Sequence, residues 1–551
     1  MAPLPPHKNK VFSSATAVAV LSLSAFLTRL LPLSVSQFPF NNDALSVCGI
    51  SSDIMNTHRL ADLISPLWQN AHGVRTPLLS IIISYFASAT GTTPLHCAQF
   101  VDASLAMVTV GGLFILTRAM TGRLLGAMAS GFMATMMGTF VFTTGSVWNE
   151  SLGIALLVLL LIAFVHRSQL RFRLLTFAVL MMLPLAHHLV ALVGFLIIAY
   201  LLVWSWFFAI ATRSLRKRQF VDLGIVGVAT VWAVSYYVVV DFDRLSDISS
   251  PVKLALLLSS FVILSLVATV ILMPRRYSKM TFAPFIGVGL LVVLVLDYLG
   301  LVFPYSHSAS NLYILLIAAA CFLFSLAWYG TEVLIETRPA HRAVQVALAL
   351  SPLTLIGFGL LQGFSTASHQ VVYRTFDFLD IFIFVGAGAA LCAFRDRHKK
   401  LYPLIGTAMV VSLVISFPFA YASEQLLGVR HDTQAFEVDA LEWIDGHTNA
   451  IRVISDERIS YISWSMFGLM RDSGLPLYLK HNVTILPGWM CVIEDRWTKN
   501  GVNAYPEGNV VVPEPEYTRV QLVANVLYIG GPPDDRAIIF VGSGIGQRTM
   551  P

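Results

Sequence analysis

Uninterrupted apolar runs recur along this chain from Val11 to about Ala420, and most are 18 to 25 residues long. A helix of that length crosses a hydrocarbon core of roughly 30 Å at about 1.5 Å per residue. Lipid offers no partner to backbone N–H and C=O groups, so only helices and closed barrels span it. Runs without alternation mean helices. Composition agrees: 551 residues that are 56% hydrophobic, with a mean hydropathy of +0.72, carry more apolar surface than a soluble core can hide.

Thirteen spans are expected, at about 11–33, 97–117, 124–144, 151–166, 173–186, 189–210, 220–240, 252–273, 281–302, 311–331, 343–361, 376–394 and 402–421. The first is read as a retained span rather than a signal peptide, because Arg29 interrupts it and no small-residue cleavage site follows. The segment Pro77–Ala89 is read as a helix in, or dipping into, the outer interface. Loop charge supports this choice. With the N-terminus inside, the cytoplasmic loops hold 20 Lys and Arg, and the outer loops of the membrane part hold five. Counting Pro77–Ala89 as a span would put "RSLRKRQ" and "RDRHKK" outside. The net charge of +5 then follows from inner loops that meet anionic lipid, and no nucleic-acid partner is needed.

Near Glu424 charged residues, prolines and glycines return to ordinary frequency. The expected organisation is a transmembrane domain at 1–423, with its first outer loop at about 34–96, and a small extracytoplasmic α/β domain at 424–551. The runs "IRVIS", "NVTIL", "NVVVP" and "AIIFVGS" read as strands behind an amphipathic helix from Glu437 to Asp445. No GxGxxG opens a helix after a strand, which disfavours a nucleotide-sugar donor. The five cysteines form no CxxC pair or zinc spacing; one disulfide among Cys48, Cys97 and Cys491 stays open.

The unusual residues gather on the outer side. Asp43 lies at the start of a helix whose apolar stripe is Val47, Ile50, Ile54, Ala61 and Ile64; the helix is expected to lie along the bilayer surface. Asp53 and Asp62 fall on its solvated face. Asp43 suits either a helix N-terminal carboxylate or a functional group. The same two readings hold for Glu150 in "TTGSVWNESLG". His187 and His188 interrupt an apolar stretch, as packing residues or as ligands. Arg374 and Asp377 are three apart and pair on one helix face or bind a ligand. A polar headgroup entering from the outer leaflet would meet all four groups.

This layout resembles the GT-C superfamily of integral membrane glycosyltransferases: the protein O-mannosyltransferases, the oligosaccharyltransferase catalytic subunits and the aminoarabinose transferases. The resemblance covers most of the chain. A first span leads to an acidic outer loop (Asn42-Asp43). "RTPLLSIIISYFASATGTTPLHCAQFVDASLA" is similar to the stretch in which a basic or His residue and Pro precede an apolar helix. "LTRAMTGRLLGAMASG" is similar to a short cytoplasmic basic-Thr-Gly-basic turn, and the following span ends outside at Glu150. "DALEWIDGHTNAIRVISDERISY" resembles the start of the extracytoplasmic domain in oligosaccharyltransferase-like members. There the Trp-Trp-Asp acceptor motif is replaced by Ser455-Asp456-Glu457. The "PFNND" and "HH" stretches resemble those of archaeal members.

The resemblance implies a transferase that takes a sugar from a polyprenyl-phosphate-linked donor and acts outside the cytoplasm of the cell membrane. Its acceptor would be a protein, a lipid or a glycan. Asp43 would be the catalytic carboxylate, as base or metal ligand, and Glu150 the second carboxylate. A divalent ion, Mn2+ or Mg2+, is the implied cofactor, with Asp43 and Glu150 as its ligands. Arg374, His187, His188 and Arg75 would bind the donor's lipid phosphate. The competing readings are a transporter or flippase of a lipid-linked sugar, and a non-catalytic lipid-glycan-binding relative. An odd number of spans and no internal repeat argue against transport.

Overall fold

A computed structural model describes residues 7–41, 43–58, 72–213, 217–240, 250–272, 283–299, 301, 313–337, 341–363, 366–421, 430–481, 489–499, 501–504, 508–514, 526–532 and 536–541. Asn42, Arg59, Ala61, Asp62, Ile64 and all of "NVTIL" lie outside the described residues.

The apolar part is a helical bundle. Its elements are α1 (His7–Arg29), α2 (Asp43–Thr57), α3 (His72–Arg75), α4 (Leu78–Thr90), α5 (Pro94–Thr121), α6 (Leu124–Met136), α7 (Gly138–Gly145) and α8 (Asn149–Val165). They continue as α9 (Leu170–Ala186), α10 (His188–Ala211), α11 (Lys217–Val240), α12 (Pro251–Leu272), α13 (Ala283–Tyr298), α14 (Tyr313–Thr337), α15 (Arg342–Leu361), α16 (Thr366–Arg397) and α17 (Tyr402–Ser416).

The chain is an integral, multi-pass membrane protein. Among the described residues eight helices are long and apolar enough to cross a bilayer, or nine if α6 and α7 form one span broken by 67°. Of the other four of the thirteen expected runs, α8, α9 and α13 fold as helices of 16 or 17 residues, and α1 offers a shorter apolar stretch, Ser14–Arg29. Helix α8 shows why length alone misleads. Its 17 residues reach about 26 Å, yet 14 of them are buried against neighbouring helices. Protein, not lipid, surrounds it. Helix α4 covers the expected Pro77–Ala89 segment with 13 residues, too short to span alone.

The break between α6 and α7 is held from α1. Arg29 is fully buried. It donates to the carbonyls of Ala134 (2.9 Å) and Thr135 (3.1 Å), which the broken helix leaves without intrahelical partners. Thr144 Oγ1 accepts from the same guanidinium at 2.8 Å. A charge inside a span is thereby satisfied by backbone groups that also need partners.

The tail folds on α18 (Ala435–His447), β1 (Arg452–Ile454), α19 (Glu457–Phe467), β2 (Met470–Asp472), α20 (Leu475–Lys480), β3 (Met490–Glu494), β4 (Val502–Ala504), β5 (Gly508–Val510), β6 (Val526–Gly530) and β7 (Ala537–Val541). The main sheet has the order β2-β1-β3-β7-β6, parallel at β2/β1/β3 and antiparallel beyond. A buried ionic cluster lies beneath it: Arg458 pairs with Glu437 and with Glu494 (2.8 Å), and Arg496 with Glu494 (2.6 Å). All five cysteines are free and buried, so the open disulfide is not formed.

One expectation is corrected. The apolar stripe of α2 does not lie on lipid. Val47 packs with Leu79, Ile83 and Val101 of α4 and α5. Ile50 and Ile54 pack with Trp464 of α19, and Leu45 with Phe38 enters the core formed by Leu441, Ile459 and Val492. An apolar stripe records only that a face avoids water. Both lipid and protein satisfy it.

Candidate active site

The turn before α2 sets the position of Asp43. Asn41 takes a positive φ of 90°, which Asn tolerates better than other side-chain-bearing residues. Its N–H donates to the His431 carbonyl at 3.1 Å, and its side-chain oxygen accepts from the Asp43 N–H at 3.1 Å. Phe40, just before it, donates to Gln99 Oε1 at 2.8 Å, and Gln99 in turn donates to the carbonyls of Arg29 and Gly145. One side chain of α5 therefore ties together the end of α1, the end of α7 and the loop that carries Asp43.

Glu150 lies in the first turn of α8 and is 3% exposed. Its neighbours fix that turn. Asn149 donates to Thr76 Oγ1 at 2.8 Å, and Ser151 hydrogen-bonds Asp102. Trp148 donates to the Thr143 carbonyl at 2.7 Å. Glu150 Oε1 itself is buried without a hydrogen-bond partner among the described residues.

Arg374 lies in α16 and is exposed. Its charge acts on Asp43, on Glu150 and on Asp377 one turn along the same helix. Asp43 and Glu150 also act on each other. Residues 43, 150 and 374 thus share one electrostatic neighbourhood although three separate elements carry them. Asp380 is buried one turn further and accepts from Thr139 Oγ1 at 3.1 Å.

Asp43 combines two properties. Its side chain is exposed to solvent, yet surrounding protein raises its pKa above the usual carboxylate range. Arg374, a hydrogen bond from Tyr461 and the charge of Arg471 act the other way.

The remaining candidates are placed as follows. Arg75 ends α3, half-buried, and its carbonyl accepts from the Tyr236 hydroxyl at 2.8 Å. His187 caps α10, its Nδ1 accepting from the Val190 N–H at 3.4 Å, and its ring lies 4.6 Å from that of His188. The cap is a sufficient structural reason for His187. Among the described residues no group of three or more His, Cys, Asp and Glu side chains could hold a metal ion. Sequence reasoning missed Tyr461 and Arg471 of the tail, which both act on Asp43; nothing local in "ERISYISW" or "MRD" marks them.

No family model matches the chain, and no curated protein matches it by sequence. Solved structures do match it. The archaeal oligosaccharyltransferase AglB from Archaeoglobus fulgidus, in complex with an inhibitory peptide and a dolichol-phosphate, has a TM-score of 0.55 at 12% identity, covering 98% of this chain and 75% of that one. The Archaeoglobus fulgidus oligosaccharyltransferase in complex with Zn and sulfate has a TM-score of 0.54 at 14% identity, covering 94% and 72%. The same enzyme tethered to an acceptor peptide containing the NVT sequon has a TM-score of 0.53 at 12% identity, covering 88% and 70%. Identities this low speak for architecture. The chain shares its fold with these archaeal oligosaccharyltransferase structures.

Proposed function

We propose that this protein is a membrane glycosyltransferase that moves a sugar from a polyprenyl-phosphate-linked donor to an acceptor at the extracytoplasmic face. The observation that carries this reading is that Asp43, Glu150 and Arg374, carried by three separate elements, lie within one another's electrostatic reach. The supporting likeness is to structures whose fold this chain shares. In this reading residues 1–423 form the membrane domain, residues 424–551 the outer domain, and the N-terminus is cytoplasmic.

Each residue has a chemical task. Asp43, accessible and with a raised pKa, accepts the proton of the acceptor hydroxyl. Glu150 orients the acceptor. Arg374 binds the lipid phosphate and stabilises the charge that grows on it as the sugar leaves. Arg75, His187 and His188 are proposed to flank that phosphate.

A divalent cation, Mn2+ or Mg2+, fits this set. Glu150 Oε1 is buried with no hydrogen-bond partner among the described residues, a state that a cation relieves. Asp43 and Glu150 would hold the ion together with the donor's phosphate oxygens, since two carboxylates alone leave a hard cation short of ligands. Bound there, the ion would supply charge neutralisation at the leaving phosphate.

The test is incubation of the purified protein with radiolabelled polyprenyl-phosphate-linked sugars and membrane extract as acceptor source. Asp43→Asn and Glu150→Gln should each lower transfer by roughly 10²- to 10⁴-fold while inserting normally. Full transfer by both variants sinks the assignment. Translocation of the label across vesicles without transfer would instead identify a transporter.

A further inference from the structure

Helices α1, α6, α16 and α17 enclose a groove of about 710 Å³, a size within the range of ligand clefts. Val20 of α1, Leu124, Met128 and Phe132 of α6, Leu391 of α16 and Met409 of α17 line it. Among the described residues of its wall, Thr16 alone is polar. Helix α6 begins, α16 ends and α17 begins at one end of this groove. From Leu124 to Phe132 it runs about 12 Å along α6, close to the roughly 15 Å of one hydrocarbon leaflet. It therefore opens to a single leaflet, the one that faces the basic loops. We infer that the groove holds an acidic phospholipid of that leaflet, with an acyl chain on the apolar wall and the phosphate among Arg123, Arg395, Lys399 and Lys400. The inference does not depend on the catalytic role proposed for Asp43.

Lipid tails are as apolar as leucine, so the wall by itself selects no ligand. Selection comes from the charge at the end of the groove. Arg123 is the N-cap of α6, directly before Leu124. It pairs with Asp396, and Arg395 approaches the same carboxylate at 3.6 Å. Arg395 lies one turn after Leu391 on α16. Lys399 and Lys400 are exposed in the turn that joins α16 to α17. Arg397, between them, is taken up by Glu336 at 3.3 Å. Four cations therefore share one carboxylate, and an excess of positive charge stands where the apolar groove meets the interface. Basic residues placed beside an apolar cleft between spans are what an acidic headgroup with its chains requires.

The wall suits a chain better than a helix. Helix pairs in lipid meet on small residues that let their backbones approach. Helices α6 and α16 do so at Gly126 and Gly388, where a Cβ on Gly126 would lie 3.0 Å from the Gly388 carbonyl oxygen. That contact fixes Leu124 and Leu391 relative to each other, so the groove is preformed. Its own wall consists mainly of branched, long and aromatic side chains. Val20 and Met128 stand 57% and 43% exposed there. Such a surface keeps a second helix at a distance and conforms to a flexible acyl chain.

The experiment titrates full-length protein in detergent with phosphatidylglycerol or with phosphatidylcholine of the same chains, and counts bound lipids by native mass spectrometry. Each basic residue near an acidic headgroup is worth roughly fivefold in affinity. The first phosphatidylglycerol should therefore bind about 10-fold or more tightly than the first phosphatidylcholine. Lys399→Gln combined with Lys400→Gln should reduce that preference roughly 10-fold and leave phosphatidylcholine unchanged. Ala17→Phe, which puts a ring into the groove, should abolish the tight event. Should that variant fail to insert, Val20→Trp at the exposed rim fills the same space. Lys217→Gln combined with Arg218→Gln, exposed on α11 and outside the groove wall, is the control and should change nothing. Equal affinity for the two lipids overturns the inference. So does a preference that survives the filled groove, or one that the control pair lowers as much as the Lys399 and Lys400 pair. A dimer that Ala17→Phe splits would put a second copy in the groove. Displacement of phosphatidylglycerol by an equal amount of undecaprenyl phosphate would give the groove to the donor. Either result also overturns it.

Discussion

His431 shows how a single side chain couples parts of this chain that are far apart in sequence. Its ring lies 5.1 Å from Phe142 of α7 and 6.3 Å from Phe40 in the first outer loop, and its carbonyl accepts from Asn41. Burial holds its pKa down at about 4, against a smaller upward pull from Asp432. An unfolded histidine takes up a proton near pH 6.5; the folded one refuses it until about pH 4. The contribution is therefore intact above pH 6.5 and is lost progressively as the pH falls toward 4, a loss on the order of 2–3 kcal/mol. Detergent-solubilised protein should melt at lower temperature over that interval. His431→Phe, which keeps an aromatic ring between Phe40 and Phe142, should flatten the decline. Equal pH slopes for wild type and variant, followed by tryptophan fluorescence, would remove this account.

Helix α16 carries Arg374 near one end, and its seating against α14 depends on two glycines. A Cβ built on Gly330 would lie 1.8 Å from the Gly386 carbonyl oxygen, and one on Gly386 would lie 2.5 Å from that of Ala327. Backbones this close admit no side chain at the crossing, the usual device of helix pairs in lipid. Gly330→Ala should force the helices apart and cost about 1–3 kcal/mol, read as a lowered melting temperature. Gly406→Ala on α17, where nothing lies within 4 Å, is the control and should be neutral or slightly stabilising. If the two variants melt alike, the crossing is not the constraint it looks to be. The break between α6 and α7 follows the same logic, since the Gly138 N–H donates to Ser416 Oγ at 2.7 Å and a Cβ there would meet the Ser416 carbonyl oxygen at 1.9 Å.

At the scale of the molecule, helix α2 is the joint. It is held between α4 and α5 on one side and α19 on the other, so the bundle and the tail share buried side chains. The proposed orientation rests on the charge asymmetry, 20 Lys and Arg on one set of loops against five on the other. Alkaline phosphatase fused after residue 551 should be active, and a fluorescent protein fused there should be dark, when expression is in a bacterial cell whose outer compartment is oxidising. The reverse pattern would invert the orientation and take Asp43 and Glu150 away from the outer face.

Much of the architecture could be read from the chain alone. The bilayer imposes a length and an apolar content on every span, and both are local properties of the sequence. Short apolar runs between turn-rich pieces likewise marked strands such as Arg452–Ile454 and Ala537–Val541 in the tail. Asp43 was legible because a carboxylate just past an apolar run is conspicuous, and Glu150 for the same reason. What the chain did not disclose is which residues meet. The stripe on α2 could face lipid or protein, because both exclude water equally well. Only packing showed Ile50 against Trp464 and not against acyl chains. Arg29 looked like an interruption of the first span, and only the broken helix beside it supplied the carbonyls that explain its burial. Arg374, Tyr461 and Arg471 come to Asp43 from more than 300 residues away. A sequence pattern specifies the apolar face of each element. The tertiary structure alone decides which faces and charges are brought together, since that choice is made by contacts no local window contains.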